Sequence, residues 1–108
     1  MEKWLLVVGT NCKDPAREKE FNDWYDNTHL ADILEVPGFT RATRYVNTEA
    51  GEGEAKYLAL YEIETGDIDG FMKAHNANMD KKRAEGRFSN LTVRVLRGLY
   101  KQTNSVSK

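Results

Sequence analysis

Phe21-Asn22-Asp23-Trp24-Tyr25-Asp26-Asn27-Thr28-His29, running on through Leu30 to Val36 and stopping at Pro37-Gly38, is the stretch that decides how the rest of the chain is read. Phe21, Trp24, Tyr25 and Thr28 recur at spacings of three and four, which is one stripe of a helix with something apolar to cover. Asp14-Pro15 starts that helix, because aspartate caps free amide groups and proline at the first helical position loses no hydrogen bond. The pattern changes near Asn27 to His29. Leu30 to Val36 is therefore predicted as a short second helical piece, ended by Pro37-Gly38.

Strands flank this unit on both sides. Lys3 to Gly9 is a compact apolar run that ends at glycine, and it reads as strand 1. Phe39 to Asn47 reads as strand 2, with Phe39, Arg41, Thr43 and Tyr45 on one face and Thr40, Ala42, Arg44 and Val46 on the other. Thr48 to Glu54, with Gly51 and Gly53, is predicted as a mobile hairpin loop. Strand 3 over Lys56 to Glu64 sets Tyr57, Ala59, Tyr61 and Ile63 against Leu58, Leu60 and Glu62. Asp67 is a plausible cap for a second helix, along which Phe71, His75 and Met79 align with Met72 beside them. That helix should end around Ala84 to Gly86, strand 4 covers Leu91 to Tyr100, and Gln102 to Lys108 is a polar tail expected to be disordered.

The order β-α-β-β-α-β is the ferredoxin-like layout of the α+β class, a four-stranded antiparallel sheet with both helices on one face. Apolar residues occur on both sides of strands 1, 3 and 4, so the uncovered face invites a partner, most economically a second copy. A homodimer through the open sheet face is the expectation.

Composition narrows the function classes. A chain of 108 residues makes one domain, and folding at that length buries about two-thirds of the unfolded surface. Sixteen basic against seventeen acidic residues leave a net charge of −1, which gives no global basic field for nucleic acid. Lys81-Lys82-Arg83, the densest basic cluster, reads as a solvated helix face. The single cysteine, Cys12, excludes an intrachain disulfide, and it has no obvious base beside it. The run Trp4 to Val8 is too short for a signal-peptide core or a membrane span, so a cytoplasmic protein that does not engage membranes is expected.

The Phe21–His29 run, followed by Val36-Pro37-Gly38-Phe39, Arg41 and Arg44-Tyr45, resembles the dimeric α+β barrel superfamily, and within it the EthD-like branch. That branch has a tyrosine one helical turn before a histidine, and a Pro-Gly that opens strand 2. One departure stands out: where many EthD-like sequences place a proline soon after the histidine, this chain has Leu30-Ala31-Asp32. The superfamily includes polyketide cyclases, cofactor-free quinone-forming monooxygenases, haem-degrading enzymes and muconolactone isomerases, so the resemblance implies a fold more sharply than a reaction. The haem-degrading branch resembles an asparagine–tryptophan–histidine set. Asn11 and His75 are possible counterparts here, but the tryptophan has none.

His29 is the first candidate catalytic residue, with an ordinary pKa that suits proton transfer at neutral pH. Tyr25, one turn earlier, is its expected hydrogen-bonding partner or an oxyanion donor; the alternative for His29 is a helix-end cap. His75 is expected on a ligand-facing wall or in the core, and Trp24, Tyr61, Arg44 and Phe71 are candidate substrate-binding residues. Arg41, Arg44, Arg94 and Arg97 lie mid-strand on different faces and need carboxylate partners or a ligand anion. No His-x-x-x-His or His-x-Asp spacing supports a metal, and no organic cofactor is expected. The leading expectation is a cofactor-independent enzyme using His29 for proton transfer on a small hydrophobic, aromatic or polyketide-like carbonyl compound, as a cyclase, isomerase, dehydratase or decarboxylase. Alternatives are a cofactor-free monooxygenase on phenols, and a non-catalytic dimeric protein that binds a hydrophobic metabolite.

Overall fold

The four strands pair in the order second, third, first, fourth along the chain, all antiparallel, in a computed structural model that describes all 108 residues, Met1–Lys108. The elements are β1 (Glu2–Cys12), a 3₁₀ turn (Pro15–Arg17), α1 (Glu18–Trp24), a π-helical turn (Tyr25–His29), α2 (Leu30–Ile33), β2 (Phe39–Val46), β3 (Tyr57–Thr65), α3 (Ile68–Ala84) and β4 (Thr92–Lys101). This is the ferredoxin-like α+β order read from the sequence. No helix is long and apolar enough to cross a membrane.

Local chemistry sets the boundaries. The Asp14 carboxylate accepts from the Ala16 amide at 3.0 Å, and Pro15 opens the turn that leads into α1. Asp67 caps α3 in the same way, accepting from Gly70 at 3.0 Å. β1 runs past the expected Gly9 because Thr10 pairs with both Tyr57 and Arg94. The hairpin after β2 is tied down by Asn11, whose amide donates to Glu54 O at 2.9 Å and whose carbonyl accepts from Lys56 N at 2.6 Å.

The core fills the space between sheet and helices. Leu6, Ala59, Tyr61 and Ile63 from the sheet meet Phe21, Tyr25, Ile33 and Phe71 from the helical layer, all buried. Gly38 lets β2 start close under α3. Its φ is +113°, and a Cβ there would stand 2.7 Å from the Phe71 ring.

Two register shifts correct the faces expected from alternation. Phe39 pairs with Ile63 while Arg41 pairs with Glu62, so the ladder slips at Thr40. Phe39 thus joins the helix-facing layer, edge-on to Phe71, instead of sharing a face with Arg41, Thr43 and Tyr45. In β4, Leu96 pairs with Gly9 but Arg94 pairs with Thr10, which leaves Val95 as the extra residue.

The opposite face of the sheet is open and apolar. Leu5, Val7, Leu58 and Leu60 lie on it, with Tyr45, Val93, Leu96 and Tyr100 more exposed, Tyr100 at 58%. A Cβ on Gly9 would meet Leu96 at 2.7 Å, and one on Gly98 would meet the Tyr100 ring at 2.5 Å, so both glycines let these side chains lie flat on the sheet. A concavity of about 730 Å³ on this side, lined by Lys3, Leu5, Arg41, Leu60, Glu62 and Tyr100, has no histidine or buried polar group.

The Lys81-Lys82-Arg83 cluster is not a uniformly solvated face. Lys82 is buried and donates to Glu35 at 2.7 Å, while Arg83 lies over the Phe88 ring, 4.6 Å from its centroid.

Candidate functional site

A cavity of about 300 Å³ lies between the helix-facing side of the sheet and α3. Tyr25 and His29 from the π-helical turn, Tyr61 from β3 and His75 from α3 converge on it; Leu6, Val8, Ile33, Met79 and Phe88 supply apolar wall, and Asp80, Arg83, Arg94 and Arg97 supply charged wall. Apolar wall together with convergent polar groups that fix orientation is the usual make-up of a small-molecule site.

His29 ends the π-helical turn, in which the Leu30 amide reaches back to the Tyr25 carbonyl. Such turns are common at functional sites. The imidazole is stacked on Trp24 with ring centroids 4.5 Å apart. Phe88 closes on it edge-first at 5.4 Å, and Tyr25 does so at 5.0 Å. No side-chain hydrogen bond holds it, so it is not the helix cap that was the alternative reading. Burial among these rings pushes the His29 pKa down to about 4 against the opposing pull of Asp32, so the ring is neutral at pH 7. His75 is also held below its ordinary value, first by burial and then by the Arg97 charge.

Tyr25 does not hydrogen-bond to His29. Its hydroxyl lies 3.2 Å from that of Tyr61, because the π-helical turn that begins at Tyr25 sets it over β3. Two hydroxyls have two protons, and their mutual bond uses one. The other remains free for a ligand oxygen. Burial raises both phenol pKa values, so the pair stays protonated and can donate.

Of the other candidates, Tyr61 and His75 line the cavity, whereas Trp24, Arg44 and Phe71 do not. Trp24 backs His29 and donates its indole N–H to Arg87 O at 2.8 Å. Arg44 is committed elsewhere: it bonds Asp26 at 2.8 Å and Asn22 at 3.0 Å, with its guanidinium 4.2 Å from the Tyr25 ring centroid. That position supports Tyr25 from outside the cavity. Phe71 packs in the core against Phe39.

The sequence reading named Arg94 and Arg97 as strand arginines in need of a partner but did not bring them to this cavity, and it missed Phe88 and the clamp that positions it. Gly86, at φ +75°, turns the chain after α3 back toward α1. Arg87 then grips the buried Asp32 carboxylate through two bonds, at 2.7 and 3.0 Å. Asp32 lies in the Leu30-Ala31-Asp32 stretch where the chain departs from the proline common in EthD-like sequences, and its carboxylate fastens the post-α3 loop over His29. The Arg87 hydrogen bonds hold Asp32 below its usual carboxylate pKa. No group of three or more His, Cys, Asp and Glu side chains is assembled to hold a metal ion.

Comparison with known proteins agrees with this architecture. HapK from Hahella chejuensis has the same fold at a TM-score of 0.69, with 17% identity and 97% of each chain covered. SnoaB from Streptomyces nogalater, described as a cofactor-independent oxygenase, gives 0.63 with 19% identity over 100% of both chains. An EthD family protein from Bacillus halodurans gives 0.53 with 18% identity, covering 91% of this chain and 97% of its own. At these identities the likeness is one of fold, and it is the fold that the Tyr25–His29 and Pro37-Gly38 motifs imply. The core atranone cluster protein 1 of Stachybotrys chlorohalonatus is 38% identical over 61 residues, which is 56% of this chain but only 26% of that protein's length. Residues 5–102 match a family described as a domain of unknown function, DUF4286, and the chain belongs to that family.

Proposed function

We propose that the chain is a cofactor-independent enzyme in which His29 takes a proton from carbon next to a carbonyl group, while the Tyr25–Tyr61 pair donates to the oxygen that becomes negative. The observation that carries this reading is the convergence, in one cavity, of an imidazole without a hydrogen-bond partner and a hydroxyl pair with a spare proton. In the step, the C–H bond breaks, its proton goes to the imidazole, and its electron pair moves onto the carbonyl oxygen as an enolate. Burial makes His29 a weak base at the outset. The enolate charge forming beside it stabilises the imidazolium at the moment it forms, so the base strengthens as the reaction proceeds. Cyclisation, isomerisation, dehydration and decarboxylation of a hydrophobic carbonyl compound all use this step.

Deuterium incorporation at the methyl group of 2-acetonaphthone in D₂O tests the reading. Wild-type protein should accelerate exchange, and His29→Ala should lose about 100-fold or more of that acceleration. Equal exchange by the two proteins contradicts it.

The fold shared with SnoaB supports a second reading, direct oxidation of an electron-rich phenol by oxygen. It requires turnover that stops when oxygen is removed. Tight ligand binding without exchange or turnover would favour a binding protein.

The working unit in this account is a homodimer. The open face of Leu96, Tyr100, Tyr45 and Val93 is a contiguous apolar surface on an otherwise charged chain, and a second copy covers it by two-fold symmetry.

A further inference from the structure

The slip in β4 has a consequence for what the cavity binds. Arg94 and Arg97 are three residues apart, and in a regular strand they would point to opposite faces. Because Val95 is the extra residue, Arg94 pairs with Thr10 and Arg97 with Val8, both on the helix-facing side. The two guanidinium groups therefore line the same cavity as His29.

Neither arginine takes part in an ion pair, although the chain's other strand arginines do: Arg41 is with Glu62 at 4.0 Å and Arg44 is with Asp26 at 2.8 Å. The lining holds one carboxylate, Asp80, and Arg83 already bonds it at 3.1 Å. Three arginines against one carboxylate leave the cavity two positive charges in surplus. His75 adds a third feature. It is 94% buried, as the complement of its 6% exposure, and its Nδ1 is enclosed without a hydrogen-bond partner. An enclosed lone pair is less costly than an enclosed N–H, which places the proton on Nε2 and makes that nitrogen a donor.

We propose that the ligand of this cavity is a hydrophobic carboxylic acid, its apolar body packed against Met79, Phe88 and Val8 and its carboxylate held by Arg94 and Arg97, with His75 donating from below. The surplus charge and the bulge that creates it serve anion recognition. This assignment rests on the proposed function only in placing substrate in this cavity, and it narrows the substrate from carbonyl compounds in general to acids.

The test compares 2-naphthoate with methyl 2-naphthoate, an uncharged molecule with the same ring system, by titration against wild-type protein and an Arg94→Gln/Arg97→Gln double variant. Wild type should bind the acid about tenfold or more tightly than the ester, since hydrogen bonds to charged groups are the stronger kind. The double variant should lose that preference with the ester's affinity unchanged, and an Arg94→Lys/Arg97→Lys variant should restore part of it. Equal binding of acid and ester by wild type, no binding of the acid, or a preference that survives the Gln variant would each overturn the proposal. The 2-acetonaphthone exchange assay uses a neutral ketone and so reads His29 separately. No acceleration of exchange by wild type with the acid preference intact refutes the proton-transfer reading alone, and His29-dependent exchange without an acid preference refutes the carboxylate site alone.

Discussion

Replacing His29 by glutamine should make the protein more resistant to acid. In the folded chain the His29 pKa is near 4, against an ordinary value of 6.5, because the ring is buried between Trp24 and Phe88. Below pH 6.5 the unfolded chain takes up a proton here that the folded chain refuses. Stability from this group is therefore complete above pH 6.5 and is lost as pH falls toward 4. The slope is about 1.4 kcal/mol per pH unit, so the whole window amounts to about 3 kcal/mol. Between pH 7 and about pH 4.5 wild type should lose about 2 kcal/mol more than His29→Gln, read from urea unfolding at both pH values. Carboxylates such as Asp32, whose lowered pKa also removes stability in acid, are present in both proteins and largely cancel. Protein concentration must be held constant, because association would shift both curves. His29→Phe serves as a second variant that keeps the stack on Trp24. If wild type and both variants lose stability in parallel over this range, His29 is not held neutral by its surroundings and the electrostatic account of the site is wrong.

Other consequences are equally direct. Tyr61→Phe removes the hydroxyl that Tyr25 meets at 3.2 Å, and should lower unfolding stability by about 1 kcal/mol while reducing ketone exchange. Gly38→Ala meets both a φ of +113° and the Phe71 ring, and a loss of about 2 kcal/mol or more should be seen by thermal unfolding. Arg87→Gln leaves the buried Asp32 carboxylate without its partner and frees the loop over His29, so the protein should melt earlier and Trp24 fluorescence should change. Sedimentation should show the wild-type chain at twice its own mass and a Leu96→Glu/Tyr100→Asp variant at the monomer mass; a monomeric wild type would remove the dimer from the account.

Local signals in the sequence carried most of the architecture. Asp14-Pro15 and Asp67 mark helix starts by a mechanism that needs no distant partner, and the alternation of Tyr57, Ala59, Tyr61 and Ile63 puts β3's core face in view directly. Residue type, spacing and the resemblance to EthD-like sequences make His29, Tyr25, Tyr61 and His75 candidates, and the fold brings all four to one cavity. What stayed hidden depends on single-residue slips or on pairings across the fold. A bulge at Thr40 or Val95 leaves no mark in composition, yet it moves Phe39 into the core layer and sets Arg94 and Arg97 on one side. The Asp32–Arg87 bonds join residues 55 positions apart, and nothing local distinguishes them from other charged residues. Helical spacing and the EthD-like motif both pair Tyr25 with His29. The competing hydroxyl of Tyr61 came from a strand 36 residues away.

The most direct test of the central claim is an NMR titration of the His29 ring, in the free protein and with 2-acetonaphthone bound. The ring should be neutral at pH 6 with a midpoint near 4, and its signals should move when the ketone binds. A midpoint near 6.5 in the free protein, with signals unmoved by the bound ketone, would contradict it.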